Sequence, residues 1–275
     1  MRILVVDAFA DRPFAGNPAG VCLLDAPADA AWMRRVAAEM KHSETAFVRP
    51  VDEPGADFEL RWFTPMVEVA LCGHATMGAA HALYDTGTAP ADRPIRFRTL
   101  ESGVLTVTPD RDGGLAMDFP SCPPEPVAPP AELAGALGAE IGWTGRNVQN
   151  DLLVELADEK AVRALAPDLA ALARIDGRGV IVTARAADGG TGGPGGYDFV
   201  SRFFAARILL GDGEDPVTGS AHCALAPFWA ERLGRDALTG YQASERGGRV
   251  RAALRGDRVV ISGTAVTVLD GTLRV

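Results

Sequence analysis

Lysine is almost absent from this sequence: only Lys41 and Lys160 occur among the 275 residues, so nearly all positive charge is arginine. Neither lysine stands in a suitable motif, which argues against a P-loop and against a lysine-bound pyridoxal cofactor. Acidic residues outnumber basic ones by 36 to 27, a net charge of −9. Such a chain lacks the positive field that attracts phosphate backbones and anionic lipids, so we expect neither nucleic acid nor membrane as a partner.

Long apolar runs and clustered metal ligands are also missing. No uncharged apolar run reaches the roughly 18 residues of a membrane-spanning helix. The chain starts directly into a strand-like segment at residues 2–7 rather than a signal peptide, so we expect a cytoplasmic protein. The four cysteines show no CxxC spacing and the four histidines no HxxxH or HExxH, which argues against disulfides and a local zinc site. A metal site assembled from distant ligands is the open alternative.

What remains is the composition of a globular enzyme-sized protein. Apolar residues make up 47% and charged residues 23%, and the length suits one large domain or two ordinary ones. Prolines crowd residues 120–130, which favours a domain crossing there. Residues 188–196 form a glycine-rich stretch without the strand and helix of a nucleotide site, which favours a flexible or lid loop.

Hydrophobic spacing predicts an alternation of strands and helices. Pro50 should end the third strand, and the small residues of the second helix predict a buried central helix packed closely on a sheet. The predicted strands cover residues 3–6, 19–24, 45–49, 58–63, 94–109, 114–119, 146–155 and 180–184, and the predicted helices cover residues 29–40, 75–84, 133–137 and 161–172.

The second half of the chain contains a weak echo of the first. Residues 58–73 read FELRWFTPMVEVALCG and residues 199–213 read FVSRFFAARILLGDG, each an arginine–aromatic strand leading to a turn and a small-residue helix. Two similar modules with a cleft between them are therefore expected. Each helix would begin at a glycine turn, Gly73-His74 in one module and Thr218-Gly219-Ser220 in the other. Free amides at such turns suit a small anion such as a carboxylate, and the alternative is that Thr218 and Ser220 merely cap the helix.

Four further side chains could carry chemistry. Glu44 lies between a helix end and a strand, beside Phe47, and burial there would raise its pKa and favour proton exchange; alternatively it is a solvated loop charge. His74 is otherwise a structural histidine, and Asp215 before Pro216 a turn former. Cys72 is either a thiolate activated at a helix N-terminus or a small buried apolar residue.

Several motifs follow one another in a fixed order over essentially the whole chain. They are Val6-Asp7-Ala8-Phe9, Phe14-Ala15-Gly16-Asn17-Pro18-Ala19, Ser43-Glu44-Thr45-Ala46-Phe47, Arg61-Trp62-Phe63-Thr64-Pro65, Gly73-His74-Ala75-Thr76, Glu214-Asp215-Pro216-Val217-Thr218-Gly219-Ser220-Ala221 and Gln242-Ala243-Ser244-Glu245-Arg246-Gly247-Gly248. In this order and spacing they resemble the PhzF (phenazine biosynthesis) family.

This resemblance implies an α+β fold of the diaminopimelate-epimerase type, with two pseudo-symmetric modules that each wrap a curved, mostly antiparallel sheet around a central helix. The last strand often returns to the first module, so we expect residues 1–119 with 264–275 as one module and residues 120–263 as the other, with the active site between them. The family is commonly homodimeric, and we expect a homodimer here.

The resemblance also implies a cofactor- and metal-independent isomerase of small carboxylates, like the family member that isomerises trans-2,3-dihydro-3-hydroxyanthranilate. Glu44 would remove and redeliver the proton, and His74 and Asp215 would orient the ligand. The substrate carboxylate would lie on the two turns, at Gly73, Thr218, Gly219 and Ser220, with Asn17 and Ser43 as further contacts.

Two other functions stay open. Racemases and epimerases of the same fold place one thiol on each module, and here Cys72 has no counterpart near Val217. A mechanism with Cys72 alone, or with Cys72 and Glu44, is the second enzyme reading. The third is a non-catalytic protein that binds a small ligand.

Overall fold

The computed structural model describes residues 1–110, 113–187, 196–207 and 213–274. Most of the glycine-rich stretch, for which a lid loop was predicted, lies outside the described residues. The chain divides into two compact units, residues 1–118 with 262–275 and residues 119–261. None of the helices in the described parts of the chain combines the length and hydropathy that crossing a bilayer requires.

In the part of it that the structure describes, the first unit combines a sheet with two helices. Its last strand pairs antiparallel with its first, so the end of the chain completes this sheet. In chain order its elements are β1 (Arg2–Ala8), β2 (Asn17–Leu23), α1 (Ala30–Met40), β3 (Thr45–Glu53), β4 (Ala56–Phe63), β5 (Glu68–Val69), α2 (Gly73–Asp85), β6 (Ile95–Arg98), β7 (Val104–Pro109), β8 (Leu115–Pro120), at whose end the second unit begins, and, from the C-terminus, β18 (Ala265–Thr272).

Among its described residues, the second unit has a longer central helix and three short ones. In chain order its elements are β9 (Glu125–Pro126), α3 (Leu133–Leu137), β10 (Trp143–Arg146), β11 (Asp151–Glu155), α4 (Glu159–Arg163), α5 (Leu169–Leu172), β12 (Gly179–Arg185), β13 (Phe199–Phe204), β14 (Glu214–Asp215), α6 (Gly219–Leu233), β15 (Ala237–Gln242), β16 (Gly248–Arg255) and β17 (Arg258–Gly263).

Strand pairing follows the same order in both units. In the first, β1–β2 is antiparallel, β2–β3 parallel, β3–β4 and β4–β5 antiparallel, β4–β6 parallel and β6–β7 antiparallel. In the second, the same sequence of orientations runs through β10–β11, β11–β12, β12–β13, β13–β14, β13–β15 and β15–β16. The weak repeat in the sequence therefore corresponds to a repeated topology.

An arginine–glutamate pair fixes the same corner of both units. Arg61 on β4 donates two hydrogen bonds of 2.7 Å to Glu68 on β5, and Arg202 on β13 donates two of 2.7 Å to Glu214 on β14. Each guanidinium also lies over the phenylalanine two residues later, at 5.2 Å from the Phe63 ring centre and 4.9 Å from that of Phe204. Bidentate pairs of this kind fix geometry as well as adding energy.

The central strands of each unit are buried on both faces. In the second unit, Leu153 and Ile181 face a cluster with α6, whereas their neighbours Leu152 and Val180 face a cluster with the three short helices. In the first unit, α1 packs beside Phe47 and Phe63, and α2 packs on β1, β2 and β3. Four alanines of α2, Ala75, Ala79, Ala80 and Ala82, have no exposed surface, which confirms the prediction of a buried small-residue helix.

Several predicted boundaries were wrong for local reasons. β3 continues through Pro50, which is paired with Phe58 just before a bulge, at the exposed end of the strand. The predicted strand over 146–155 contains only the last residue of β10, a turn and all of β11, because Asn147 Oδ1 accepts the N–H groups of Gln149 and Asp151 and turns the chain. The predicted helix over 161–172 is interrupted before Pro167, and Asp168 caps a second short helix. Residues 94–109 likewise form two strands, β6 and β7.

Candidate active site

In the first unit, α2 begins at a glycine directly after a cysteine. Cys72 occupies the N-cap position in an extended conformation, and its side chain makes no capping hydrogen bond. The Cys72 carbonyl accepts the Thr76 hydroxyl at 2.6 Å and the Thr76 N–H at 3.1 Å. The first turn of α2 is thereby fixed while the Cys72 thiol is left to face neighbouring side chains.

Glu44 is held beside this helix start by the strand that follows it. The Glu44 side chain is 16% exposed, and its Oε2 lies 3.4 Å from Nε2 of His74, whose side chain is 8% exposed. Burial raises the pKa of Glu44, and hydrogen bonds with the side chains of Ser43 and Cys72 oppose that rise only in part. The direction is the one expected from the sequence, because a carboxyl group removed from water holds its proton more tightly.

Three proton-carrying groups therefore meet at the start of α2. Cys72 Sγ lies 3.5 Å from His74 Nδ1. One atom capable of ligating a metal from each of Glu44, Cys72 and His74 lies within 4.8 Å of the other two. These atoms could ligate a metal ion, but the two ring nitrogens of His74 face different partners, and one ion can use only one of them. A neutral imidazole can accept a proton at one nitrogen and donate at the other, so the arrangement favours proton transfer between the groups.

Two more predicted site residues, Asn17 and Ser43, lie at the same end of this sheet. β2 begins at Asn17, and the parallel pairing of β2 with β3 aligns Gly20 with Thr45, so Asn17 and Ser43 lie at the N-terminal ends of neighbouring strands. Asn17 is fully buried. In the first unit, the structure thus brings Ser43, Glu44 and His74 together with Cys72.

In the second unit, α6 begins beside Asp215. Thr218 is the N-cap residue, but its hydroxyl donates to Asp215 Oδ2 at 2.5 Å rather than capping the helix. The Thr218 N–H donates to Gln242 Oε1 at 2.9 Å, and Gln242 Nε2 donates to the Asp215 carbonyl at 2.7 Å and to Thr218 Oγ1 at 3.1 Å. Both Thr218 protons are engaged here, so Thr218 shapes the turn and orients Asp215.

Ser220 is the second residue of α6 and contacts an arginine that sequence reasoning missed. Arg178 Nη2 donates to Ser220 Oγ at 3.0 Å. The guanidinium also binds Asp151 through Nε at 2.8 Å and Nη2 at 2.5 Å, and the Asp151 side chain has no exposed surface. The sequence offers only a weak signal for this pair, since an arginine before a strand is usually a solvated charge.

Gln242 is the other residue whose role the sequence did not reveal. Gln242 lies within one of the motifs on which the family resemblance rests, yet nothing in that motif predicts that its side chain forms hydrogen bonds with both Thr218 and Asp215. Gln242 is fully buried, and a buried amide needs partners for both its oxygen and its nitrogen. The structure therefore reveals a role that the sequence alone does not.

Proteins of a known family are similar to this chain over almost its whole length. The sequence profile of the PhzC-PhzF family, described as phenazine biosynthesis-like protein, matches residues 6–271. The chain belongs to the PhzF family. A Pseudomonas aeruginosa relative named as an uncharacterised isomerase is 49% identical over 280 residues, covering 99% of this chain and 98% of the relative. This PhzF chain is accordingly an enzyme of an isomerase family, as the sequence resemblance implies.

Solved structures identify the fold of this PhzF chain. A crystal structure of a PhzF family protein from Enterococcus faecalis matches with a TM-score of 0.90 at 38% identity, over 100% of this chain and 99% of that one. A hydroxyproline epimerase from Agrobacterium vitis matches with a TM-score of 0.62 at 14% identity, over 98% and 91% of the two chains, which is evidence for the fold alone. The predicted α+β, epimerase-like fold class is confirmed.

Proposed function

We propose that this chain is an isomerase that moves a proton between two carbons of a small carboxylate-bearing substrate, with Glu44 as the acid/base group. The observation that carries the proposal is the mostly buried Glu44 carboxyl group beside His74, at 3.4 Å, with its pKa raised by desolvation. A carboxyl group with a raised pKa can both accept and return a proton near neutral pH.

In this mechanism Glu44 takes a proton from one carbon, and the electrons of the broken C–H bond move into the unsaturated system of the substrate. Protonated Glu44 then returns the proton to a different carbon, so the reaction consumes no oxidant or other co-reactant. His74 Nε2 faces the carboxylate throughout and is placed to orient it. The role of Asp215 is to orient a polar group of the ligand, supported by its fixed position against Thr218.

The anionic group of the substrate is assigned to the two glycine turns. Gly73 and Gly219 are the first residues of α2 and α6, and the first amides of a helix have no acceptor within it. Together with the helix dipole they favour a carboxylate. Gly73, Gly219 and Ser220 are therefore the proposed carboxylate contacts, and Asn17 and Ser43 the proposed further contacts.

The test is deuterium uptake from D₂O into dihydrohydroxyanthranilate and a panel of small amino and cyclic carboxylates, followed by mass spectrometry. We expect Glu44→Gln to slow the uptake by about 10²- to 10⁴-fold, the usual contribution of a general acid/base group. Glu59→Gln is the matched control, because Glu59 lies in the same unit with a side chain that is 14% exposed and is paired with Arg49. Uptake should survive in that control.

A racemase or epimerase using Cys72 is the second candidate, favoured by the 3.5 Å contact between Cys72 Sγ and His74 Nδ1. If uptake persists in Glu44→Gln but is lost on alkylation of the protein or in Cys72→Ser, the thiol is the proton carrier. The N-cap residue of α6, at the position matching Cys72, is Thr218, so a symmetric two-thiol mechanism is disfavoured.

A third function, binding without catalysis, would show as ligand binding with no Glu44-dependent proton exchange. The proposed reaction needs no cofactor or metal, which is what the family resemblance implies. A homodimer and a cytoplasmic location stay predictions.

A further inference from the structure

Arg178 is held in one orientation by a buried acid. Its Nε and Nη2 atoms bind both oxygens of Asp151, and Asn147 Nδ2 donates to the same carboxylate at 3.2 Å. The second Nη2 hydrogen is shared between Gln149 Oε1 at 3.1 Å and Ser220 Oγ at 3.0 Å, and the guanidinium lies 5.3 Å from the centre of the Phe203 ring. Because hydrogen bonds hold the guanidinium in its plane and an aromatic ring lies against its face, the Arg178 side chain is pre-organised to bind a further acceptor.

That further acceptor is the hydroxyl of Ser220, and the direction of this hydrogen bond is fixed by chemistry. Arginine has only donors, so in the 3.0 Å bond between Arg178 Nη2 and Ser220 Oγ the serine must accept. The Ser220 proton is then left to donate elsewhere, from the first turn of a helix whose N–H groups point outward. Arg178 thereby makes Ser220 a donor, which is the property that an anion requires.

The repeated topology gives independent support. Thr45 pairs with Phe63 as Val180 pairs with Phe204, so Thr45 and Val180 occupy equivalent positions. Counting back along each chain, Glu44 corresponds to Gly179 and Ser43 corresponds to Arg178. The helices begin at Gly73 and Gly219, so His74 corresponds to Ser220.

Each helix start is therefore contacted from the segment that leads into the neighbouring strand, by Glu44 on His74 in one unit and, one position earlier in the repeat, by Arg178 on Ser220 in the other. The first contact pairs an acid with an imidazole, and the second pairs a cation with a hydroxyl. The second unit has Gly179 at the position of Glu44, and the side chain that contacts its helix start is a cation suited to an anion site.

We infer that Arg178 is a positioning residue for the substrate's carboxylate, acting through Ser220 at the start of α6. The inference rests on the proposed function, because it deepens the carboxylate contact assigned there. Arg178 supplies the fixed donor that orients the Ser220 hydroxyl, and Asp151 holds Arg178 in place. In this role Arg178 sets which group of the substrate lies at α6.

The test measures binding rather than turnover. Titration calorimetry compares benzoate with benzamide and anthranilate with anthranilamide, pairs of similar shape that differ in charge. The wild type should prefer each carboxylate to its amide. Ser220→Ala and Arg178→Met should each reduce that preference by about tenfold to a hundredfold, the range for a hydrogen bond to a charged group. Arg178→Lys should restore part of it, and Arg178→Met with Ser220→Ala should lose no more than Arg178→Met alone.

Arg235→Met is the matched control, since Arg235 also binds a buried aspartate, Asp198, in the same unit, beyond the C-terminal end of α6. It should lower stability and leave the preference unchanged. Because Arg178→Met leaves Asp151 without its partner, Ser220→Ala and Arg178→Lys provide the decisive arms if that variant does not fold.

An unchanged preference in Ser220→Ala and Arg178→Lys would reduce Arg178 to a structural role, and a wild type with no preference would overturn the inference. Glu44→Gln should keep the full preference. Failure of the Glu44 mechanism is therefore distinguishable from failure of this inference.

Discussion

Gln242 offers the sharpest test of how the second unit builds its helix start. Its fully buried side-chain amide joins three groups: it accepts the Thr218 N–H and donates to the Asp215 carbonyl and the Thr218 hydroxyl oxygen. Gln242→Leu keeps the approximate volume and removes all three bonds. The Thr218 N–H then has no acceptor, and the hydroxyl that fixes Asp215 loses one of its two bonds.

The cost follows from these three bonds. A buried donor without an acceptor costs about 1–3 kcal/mol, and each remaining bond contributes about 0.5–1.5 kcal/mol, so Gln242→Leu should lower the free energy of unfolding by about 2–6 kcal/mol. Urea denaturation measures the total. Amide hydrogen exchange with peptide resolution should show the loss of protection over residues 213–244, with residues 17–63 of the other unit as an internal reference.

Ser244→Ala is the control for this prediction. Ser244 Oγ donates to the Pro216 carbonyl at 2.7 Å and accepts the Gly247 N–H at 3.1 Å, but the residue is only partly buried. Its replacement should cost about 1 kcal/mol. The reasoning is refuted if Gln242→Leu costs no more than Ser244→Ala, or if protection falls equally in both units.

Two predictions concern pH. Burial lowers the pKa of His222 to about 4 from an ordinary 6.5. The unfolded chain therefore binds this proton first, and stability should fall by about 3 kcal/mol as pH drops from 6.5 to 4. His222→Thr introduces the residue type of Thr76, which makes the same bond to the N-cap carbonyl in the first unit. This variant should flatten that part of a pH series of urea titrations, and an unchanged slope would contradict the assignment. Glu44 acts with the opposite sign: its pKa is raised in the folded state, so its contribution to stability is lost as pH rises above the ordinary value of 4.5. Glu44→Gln should therefore be more stable relative to wild type at pH 7.5 than at pH 4, and an equal difference at both pH values would count against a buried carboxylate.

Much of the fold follows from local patterns in the sequence. The helix over Ala30–Met40 has a clear apolar face and an Asp29 cap, and the alternation over residues 58–63 is that of β4. Prediction failed where one side chain decides the backbone, as at Asn147, or where tertiary pairing carries a strand past a proline, as at Pro50. The strands β15, β16 and β17 were not assigned, although each has alternating burial.

The site was less predictable than the fold, because its contacts join residues that are distant in the sequence. Glu44 lies in the approach to β3 and His74 in α2, and their 3.4 Å contact depends on the packing of that helix on β3. Family resemblance supplied both residues, and no local pattern pairs them. Arg178 and Asp151 are separated by 27 positions and meet only because β11 and β12 are parallel neighbours, with Asp151 aligned with Gly179.

The repeat separates what builds each unit from what distinguishes the two chemically. The Arg61–Glu68 and Arg202–Glu214 pairs occupy matching positions with matching geometry, so the corner that leads into each central helix is the same. The residues at the helix starts differ: Cys72 and His74 in one unit correspond to Thr218 and Ser220 in the other. The side chains that contact them also differ, since Glu44 lies against His74 and Arg178 donates to Ser220. Two identical halves would offer the same groups twice, which suits a symmetric exchange of protons. An acid at one helix start and a fixed cation at the other are chemically different groups, so the two units would contribute differently to the proposed reaction.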